Sequence, residues 1–510
     1  MITHRYVCIH GHFYQPVREN PWTGETELQP DAYPFHDWNE RISSECYGAN
    51  AWSQIRDGKG IAADIVNNYT RISYNFGPTL LVWLEAHAPH VYQAVIAADA
   101  ASAKRYSGHG SAFAQCYNHI IMPLADRRDK ITQIVWGQRD FEHRFGRAPQ
   151  GMWLPETAVD LESLDLLAER GVHFTVLAPH QITATRALGT GVWTDVSEET
   201  IDSRHPYLIR LSSGRSITVF VYNGPVARAV AFEKLLDSGD DFAQRLLGAF
   251  SSTHADAPEL SHIATDGESY GHHHKFGDMA LAYALHLLER HSGVRLTNYS
   301  EYLSKHPAQH EARLKECSSW SCAHGVERWR SDCGCKTRTE PGWNQKWRAP
   351  LREALDWLRD EIAPVYERKM SQLVHDPWAA RDAGIDLLLS SGKEIERSFF
   401  DRHAAKRLTP AGKKTVIELL RMQRHLMLMF SSCGWFFDDI SGLESKMILQ
   451  QAARVIDLAR AHLKIDPEPH FLKILAAARS NRPEMGSGAD VYRRQSEPYR
   501  KTTAPTTDSR

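Results

Sequence analysis

An α/β fold with a parallel sheet or barrel, followed by an α-helical domain, is what the sequence predicts, and three observations carry it. Through about the first three hundred residues, apolar runs that stop abruptly at polar residues alternate with stretches of helical periodicity. From about residue 350 onward the apolar positions recur at the spacing of amphipathic helices, without strand-like runs. The chain, 510 residues with 42% hydrophobic content, also exceeds the usual size of one core and implies roughly two domains.

Taken in order, the first apolar run, YVCIHGH (6–12), reads as a buried strand. Alternate residues of a strand face one side, so His10 and His12 point the same way. QGMWLPE (150–156), VHFTVLAPHQ (172–181), SITVFVYNG (216–224) and SHIATDGESYGHHH (261–274) read likewise, each as a strand ending in a polar loop. Between them, VDLESLDLLAERG (159–171) has helical spacing, a charged last turn and a glycine stop. DMALAYALHLLERHSG (278–293) is a second helix of the same kind. Such alternation gathers functional side chains at the carboxyl ends of the strands.

Beyond residue 350, PLREALDWLRDEIAPVYERKM, DAGIDLLLSSGKEIERSFF, KKTVIELLRMQRHLMLMFSSC and LESKMILQQAARVIDLARAHL are amphipathic helices. The expected organisation is therefore a barrel over 1–305, a Cys- and Trp-rich active-site loop region over 306–349, an α-helical domain over 350–482 and a disordered tail over 483–510.

Sixty Lys plus Arg against 62 Asp plus Glu leave a net charge of −2, so no field of either sign points to nucleic acid or a membrane as partner. An uncharged target is expected. His4, Arg5, His10 and His12 interrupt any signal-like apolar run near the start, and no apolar stretch reaches the ~18 residues a bilayer span needs. Eight cysteines, scattered apart from a cluster between Cys317 and Cys335, do not suggest a secreted disulfide framework, so a cytoplasmic, reducing compartment is expected. Aromatic and histidine content stands out, at 14 Trp, 18 Tyr, 18 Phe and 27 His, and flat rings beside polar groups suit sugars.

Acids at two strand ends invite a chemical reading. Glu156, after Trp153, Leu154 and Pro155, is either a helix N-terminal residue favoured by the dipole or a catalytic carboxylate on a rigid turn. Asp266 and Glu268 lie on one side of a turn that Gly267 permits, and three histidines follow. The alternative there is an ordinary surface turn. Trp153, Trp320, Trp343, Trp347 and Trp435 either pack in cores or stack on pyranose rings. Cys317, Cys322, His324, Cys333 and Cys335 raise the question of zinc, but the single residue between Cys333 and Cys335 is tight for the common arrangements, and a packed, reduced loop is expected instead.

Several of these stretches together resemble glycoside hydrolase family 57. HGHFYQP (10–16) resembles its first motif, AQCYNHIIMPLA (114–125) its second, GMWLPET (151–157) its third, TDGESYGHH (265–273) its fourth and, more loosely, SSWSCAHGVERW (318–329) its fifth, in the family's order. PGWNQKWRAPLREALDWLRD and SSCGWFFDDISGLE further resemble a bacterial subgroup with an extended helical domain of unassigned function. The likeness covers roughly residues 1–485. It implies a distorted, incomplete (β/α) barrel followed by a C-terminal helical bundle, acting without a cofactor on α-glucan oligosaccharides or polysaccharides by a retaining mechanism. Carried over by position, Glu156 is the nucleophile and Asp266 the general acid/base, while His10, His12, Gln15, Trp153, Glu268, His272 and Trp320 line the sugar subsites, with Arg18 a further donor. Phe13 and Tyr14 separate the histidines from Gln15 more widely than the family's first motif does.

Retention needs one carboxylate to attack the anomeric carbon and one protonated acid to serve the leaving oxygen, about 5 Å apart. Two other readings share the barrel. One is a metal-dependent carbohydrate deacetylase, with Asp266, His272 and His273 around a divalent ion. The other is a noncatalytic glucan-binding protein that kept the groove.

Overall fold

The computed structural model describes residues 4–57, 59–252, 257–390 and 392–503. The chain divides into two compact units, one of Met1–Gln15, Leu28–Tyr117 and Asp140–Trp320, the other of Pro16–Glu27, Asn118–Arg139 and Ser321–Arg510. The second therefore takes two early segments that a contiguous reading assigned to the barrel.

The first unit is a distorted, incomplete parallel barrel. Its strands are β1 (Arg5–Phe13), β2 (Ser73–Phe76), β3 (Ala114–Gln115), β4 (Met152–Trp153), β5 (Phe174–Leu177), β6 (Ser216–Val221) and β7 (Glu259–Asp266). β1 is central, parallel to β7 along its whole length and to β2 at its carboxyl half. Both of its faces are covered, which is why RYVCIHGHF is an almost unbroken buried run. Parallel pairing continues through the bridge Tyr74↔Ala112 to β3, from β3 to β4, through Gly151↔Phe174 to β5, and on to β6.

Between β6 and β7 no ladder forms among the described residues; the Asn223 N–H donates to the His262 carbonyl at 2.9 Å and spans the gap at one point. On its far side β6 pairs instead with the antiparallel strand Tyr207–Arg210. That strand leads to His310–Leu314, a strand within the region expected to be loop. β2 and β3 were not anticipated, being too short and too polar to stand out.

The helices around the barrel follow their sequence signals. In Leu161–Glu169 the Asp160 carboxylate accepts the Ser163 N–H at 2.9 Å, Leu164, Leu166 and Leu167 are buried, and Gly171 at φ 78° ends the element. Gly277–Arg290 buries Leu281, Ala282, Leu285 and Leu288 on one face.

The second unit is helical and contains Arg348–Met370, Pro410–Leu428, Leu443–Leu458 and Glu468–Leu475. The stretch read as one helix over 382–400 is broken into Pro377–Ala383, Ile385–Leu389 and Lys393–His403, with Gly392 at φ 150° preceding the last. In place of the disordered tail expected from 483, a helix spans Gly488–Thr503 and buries Ala489, Val491 and Tyr492, with the Tyr492 hydroxyl donating to Glu468 at 2.7 Å. Packing of these residues, with the ion pairs of Arg500 to Asp457 and Glu468, orders a segment whose composition is polar. Residues 504–510, the rest of that expected tail, lie outside the described residues. No described helix is long and apolar enough to cross a membrane.

Candidate active site

The site is assembled at the carboxyl ends of the first unit's strands, and register does the first part of the work. β1 and β7 run in parallel with His12 opposite Asp266 and His10 opposite Ala264; β2 places Ser73 beside His10 and Asn75 beside His12. Asn75 then links the two rings: its carbonyl oxygen accepts from His10 Nε2 at 3.0 Å, and its amide donates to His12 Nδ1 at 2.9 Å and to Gln115 Oε1 at 2.9 Å. With Nδ1 accepting, this network assigns the His12 proton to Nε2. Burial holds both histidines neutral, His12 down at about 3 and His10 well below its ordinary value. Their rings stack on Trp153, at centroid distances of 4.8 Å for His12 and 5.1 Å for His10.

Glu156 occupies a turn of unusual backbone. Its φ and ψ are 58° and 19°, and Thr157 follows at φ 49°. Two successive non-glycine residues in the left-handed region, one of them β-branched, cost on the order of 1–3 kcal/mol each and persist only where neighbours fix them. Gln181 does so: its amide donates to the Thr157 carbonyl at 2.9 Å while its carbonyl oxygen accepts the Thr157 hydroxyl at 2.9 Å and the Ala178 N–H at 2.8 Å. From the other side, Trp320 donates its indole N–H to Glu156 Oε2 at 3.0 Å and its backbone N–H to the Glu156 carbonyl at 3.0 Å. The carboxylate is thus aimed by a strained turn and a buried clamp.

Asp266 ends β7 with its side chain open to water but walled by dense protein. Burial of its surroundings, then the charges of Glu268 and Glu156, push its carboxyl well above the usual range. Glu268 is itself pushed up to about 7 by burial, against the Tyr47 hydroxyl at 2.6 Å, the Tyr14 N–H at 3.1 Å and the Gln15 side chain, all of which favour its charged form. Gly267 between them is needed for space rather than for a turn: a Cβ there would meet the Phe13 ring at 2.2 Å. His272 bonds through Nδ1 to the Glu45 carboxylate and lies edge-on to Trp38 at 5.9 Å.

These placements revise several expectations. His10 and Trp153 are each 0% exposed, so they support the floor beneath His12 and Trp320 and present no face to a sugar. Trp320, half-buried and crossing Trp153 at 5.1 Å, is the ring that stays partly open. Trp347 and Trp435 are core residues of the helical unit, and Trp343 carries the Arg482 guanidinium at 5.5 Å. Arg18 is buried and pairs with Glu444 at 4.0 Å. Asn75, Gln115, Tyr47, Glu45 and Gln181 join the site as well; Gln115 lies inside the second motif and Gln181 at the polar end of the 172–181 run, whereas strand pairing reveals Asn75 and only tertiary contact reveals Glu45 and Tyr47.

Among the described residues, one group of His, Cys, Asp or Glu side chains converges as metal ligands do, and it is Cys322, His324, Cys333 and Cys335. The packed loop expected there gives way to four ligand atoms facing one point, because Gly334 at φ 81° turns the chain between Cys333 and Cys335. Cys317 stays outside it. Asp266, His272 and His273, the set a deacetylase would use, form no such group among the described residues.

Residues 62–315 match the family model described as glycosyl hydrolase family 57, and residues 343–505 match a domain of unknown function, DUF3536. Among curated proteins, alpha-amylase 1 of Dictyoglomus thermophilum is 28% identical over 107 residues, which is 21% of this chain and 15% of that protein, so the match spans a small part of that relative's length. Among solved structures, an exo-type maltose-forming amylase from Pyrococcus sp. ST04 superposes with a TM-score of 0.65 at 15% identity, covering 92% of this chain and 83% of the other. A branching enzyme from Thermococcus kodakaraensis superposes with a TM-score of 0.54 at 15% identity, covering 98% and 96%. At such identities the superpositions show the shared fold.

Proposed function

The chain belongs to glycoside hydrolase family 57, and from that premise we propose that it is a retaining enzyme of α-linked glucans, with Glu156 as nucleophile and Asp266 as general acid/base. The observation that carries this reading is positional: Glu156 is fixed by Trp320 on a strained turn after β4, and Asp266 ends β7 beside Glu268, its carboxyl pushed above the usual range by burial and then by the charges of Glu268 and Glu156.

In the first step a Glu156 oxygen attacks the anomeric carbon, the glycosidic C–O bond breaks, and the Asp266 proton passes to the leaving oxygen. An ester forms and the Glu156 charge disappears. One of the charges that raised Asp266 is then gone, so its carboxylate form is favoured and stands ready to act as the base. In the second step Asp266 takes a proton from water or from a sugar hydroxyl, that oxygen attacks the anomeric carbon, and Glu156 leaves as carboxylate. Neutral His12 with its proton on Nε2, the Trp320 ring and Glu268 furnish hydrogen-bond and stacking partners suited to an uncharged sugar. Solved relatives by fold include an amylase, a 4-alpha-glucanotransferase and a branching enzyme, so water, a 4-hydroxyl and a 6-hydroxyl are all eligible acceptors. A reducing, cytoplasmic setting is part of the same reading, since the cysteines are not set out as a secreted disulfide framework.

Incubation with maltooligosaccharides and with amylose, followed by separation of products by size and linkage, tests this reading. Shorter chains alone mean hydrolysis, longer ones transfer and new 1,6 linkages branching; no turnover of either substrate, with oligosaccharide still bound, would favour the noncatalytic alternative.

A further inference from the structure

Sulfur and nitrogen atoms meet in the helical unit at separations that neither a disulfide nor loose packing explains. Cys335 Sγ lies 3.8 Å from Cys322 Sγ and 3.6 Å from His324 Nδ1, Cys322 Sγ lies 4.0 Å from Cys333 Sγ, and all four ligand atoms fall within 4.8 Å of one another. A disulfide would bring sulfurs to about 2.05 Å. Four ligands around one zinc ion, with Zn–S near 2.3 Å and Zn–N near 2.0–2.1 Å, sit at tetrahedral edges of about 3.8 Å between sulfurs and about 3.5 Å from sulfur to nitrogen. The three separations just given agree with those edges to within a few tenths of an ångström, and 4.8 Å bounds the other three.

A second, independent observation concerns charge. Arg348 is 0% exposed, and the acceptors its guanidinium meets are carbonyl oxygens and a sulfur. Its Nη1 donates to the Cys335 carbonyl at 2.9 Å and faces Cys333 Sγ at 3.9 Å, and its Nη2 donates to the Phe437 carbonyl at 3.2 Å. Asp438, whose charge reaches it, is taken up by the Thr337 hydroxyl at 2.6 Å and the Arg338 N–H at 2.8 Å. A buried guanidinium calls for compensating negative charge. Three neutral thiols supply none, whereas three thiolates on a divalent ion leave one net negative charge beside Cys333.

We propose that Cys322, His324, Cys333 and Cys335 bind one zinc ion in a closed, structural site, with Arg348 as the cation that balances it. Tetrahedral ligation by three thiolate sulfurs and one imidazole nitrogen selects zinc over harder cations, and four protein ligands leave no open position for catalysis. Binding releases the three thiol protons to solvent and ties the 322–335 loop at both ends.

The test uses the full chain purified under reducing conditions without chelator. Elemental analysis is expected to give one equivalent of zinc per chain, and cobalt substitution the intense visible bands of tetrahedral thiolate coordination. Cys333→Ser with Cys335→Ser is expected to abolish both, and His324→Ala to weaken retention against a competing chelator; Cys317→Ser, outside the cluster, retains full zinc. Because the double variant risks misfolding, thiol titration of the unaltered protein is added: zinc is expected to protect three cysteines from modification and to leave on their alkylation. A folded chain that takes up no zinc after reconstitution, one that carries iron instead, or one whose zinc survives the double substitution overturns the proposal.

Discussion

Trp320 reaches Glu156 twice, its indole N–H to the carboxylate and its backbone N–H to the carbonyl, both at 3.0 Å. A residue 164 positions away thus fixes both the turn and the oxygen that it presents. Hydrogen bonds to a charged acceptor are worth about 1.5–3 kcal/mol. Trp320→Phe, which keeps an aromatic face and removes the indole donor, is expected to lower kcat roughly ten- to hundred-fold. KM should change far less, and steady-state kinetics on a maltooligosaccharide separates the two.

Gln181 holds the Thr157 backbone from the opposite side. Gln181→Ala leaves the Thr157 carbonyl and hydroxyl without that partner in a buried place, at a cost of about 1–3 kcal/mol, and frees a turn that is strained to begin with. Thermal unfolding should shift down and kcat should fall with it. A stable variant with full activity would mean that the turn holds itself.

Glu268 is the group whose pH dependence is easiest to isolate. Its folded value of about 7 stands above the ordinary 4.5, so the stability it contributes is complete below pH 4.5 and is lost as pH rises through 7. The loss is on the order of 3 kcal/mol. Glu268→Gln, which can still accept from Tyr47 and Tyr14, is expected to flatten the fall in unfolding temperature across that window. The same substitution removes a charge that raises Asp266, so the alkaline limb of kcat/KM should move to lower pH. An unmoved limb would dissociate the two acids.

His10 separates a supporting role from a sugar-binding one. Both ring nitrogens are engaged by Ser73 and Asn75, and the ring is covered by Phe113 and Trp153. His10→Phe should destabilise by about 1–3 kcal/mol through the buried Asn75 oxygen it deserts, with little change in KM. A large rise in KM without loss of stability would restore direct contact.

Much of this site could be read from the sequence because its chemistry sits at strand ends that abrupt polar stops announce. His12, Glu156, Asp266 and Glu268 all fall at such stops, and the long runs around β1 and β7 are hydrophobic enough to declare themselves. β2 and β3 were not legible: Ser73, Asn75 and Gln115 are polar strand residues whose value lies in what stands beside them in space. Spacing between paired histidines shows that they share a face, not whether that face is open, and for His10 it is closed. The Cys333–Gly334–Cys335 spacing does not show the convergence of the two thiols for a related reason, since a glycine in the left-handed region alters which way two near neighbours point. The terminal helix was missed because its apolar residues are few and its stability comes from what it packs on.

The pairing of Glu156 and Asp266 is tested most directly by trapping the ester. Asp266→Asn should slow turnover roughly 10²- to 10⁴-fold. Given an activated maltosyl fluoride, which needs no proton for departure, this variant should accumulate covalent sugar, and peptide mass mapping should place it on Glu156, with none in Asp266→Asn carrying Glu156→Gln. Label on another residue, or undiminished turnover without any label, would contradict the assignment.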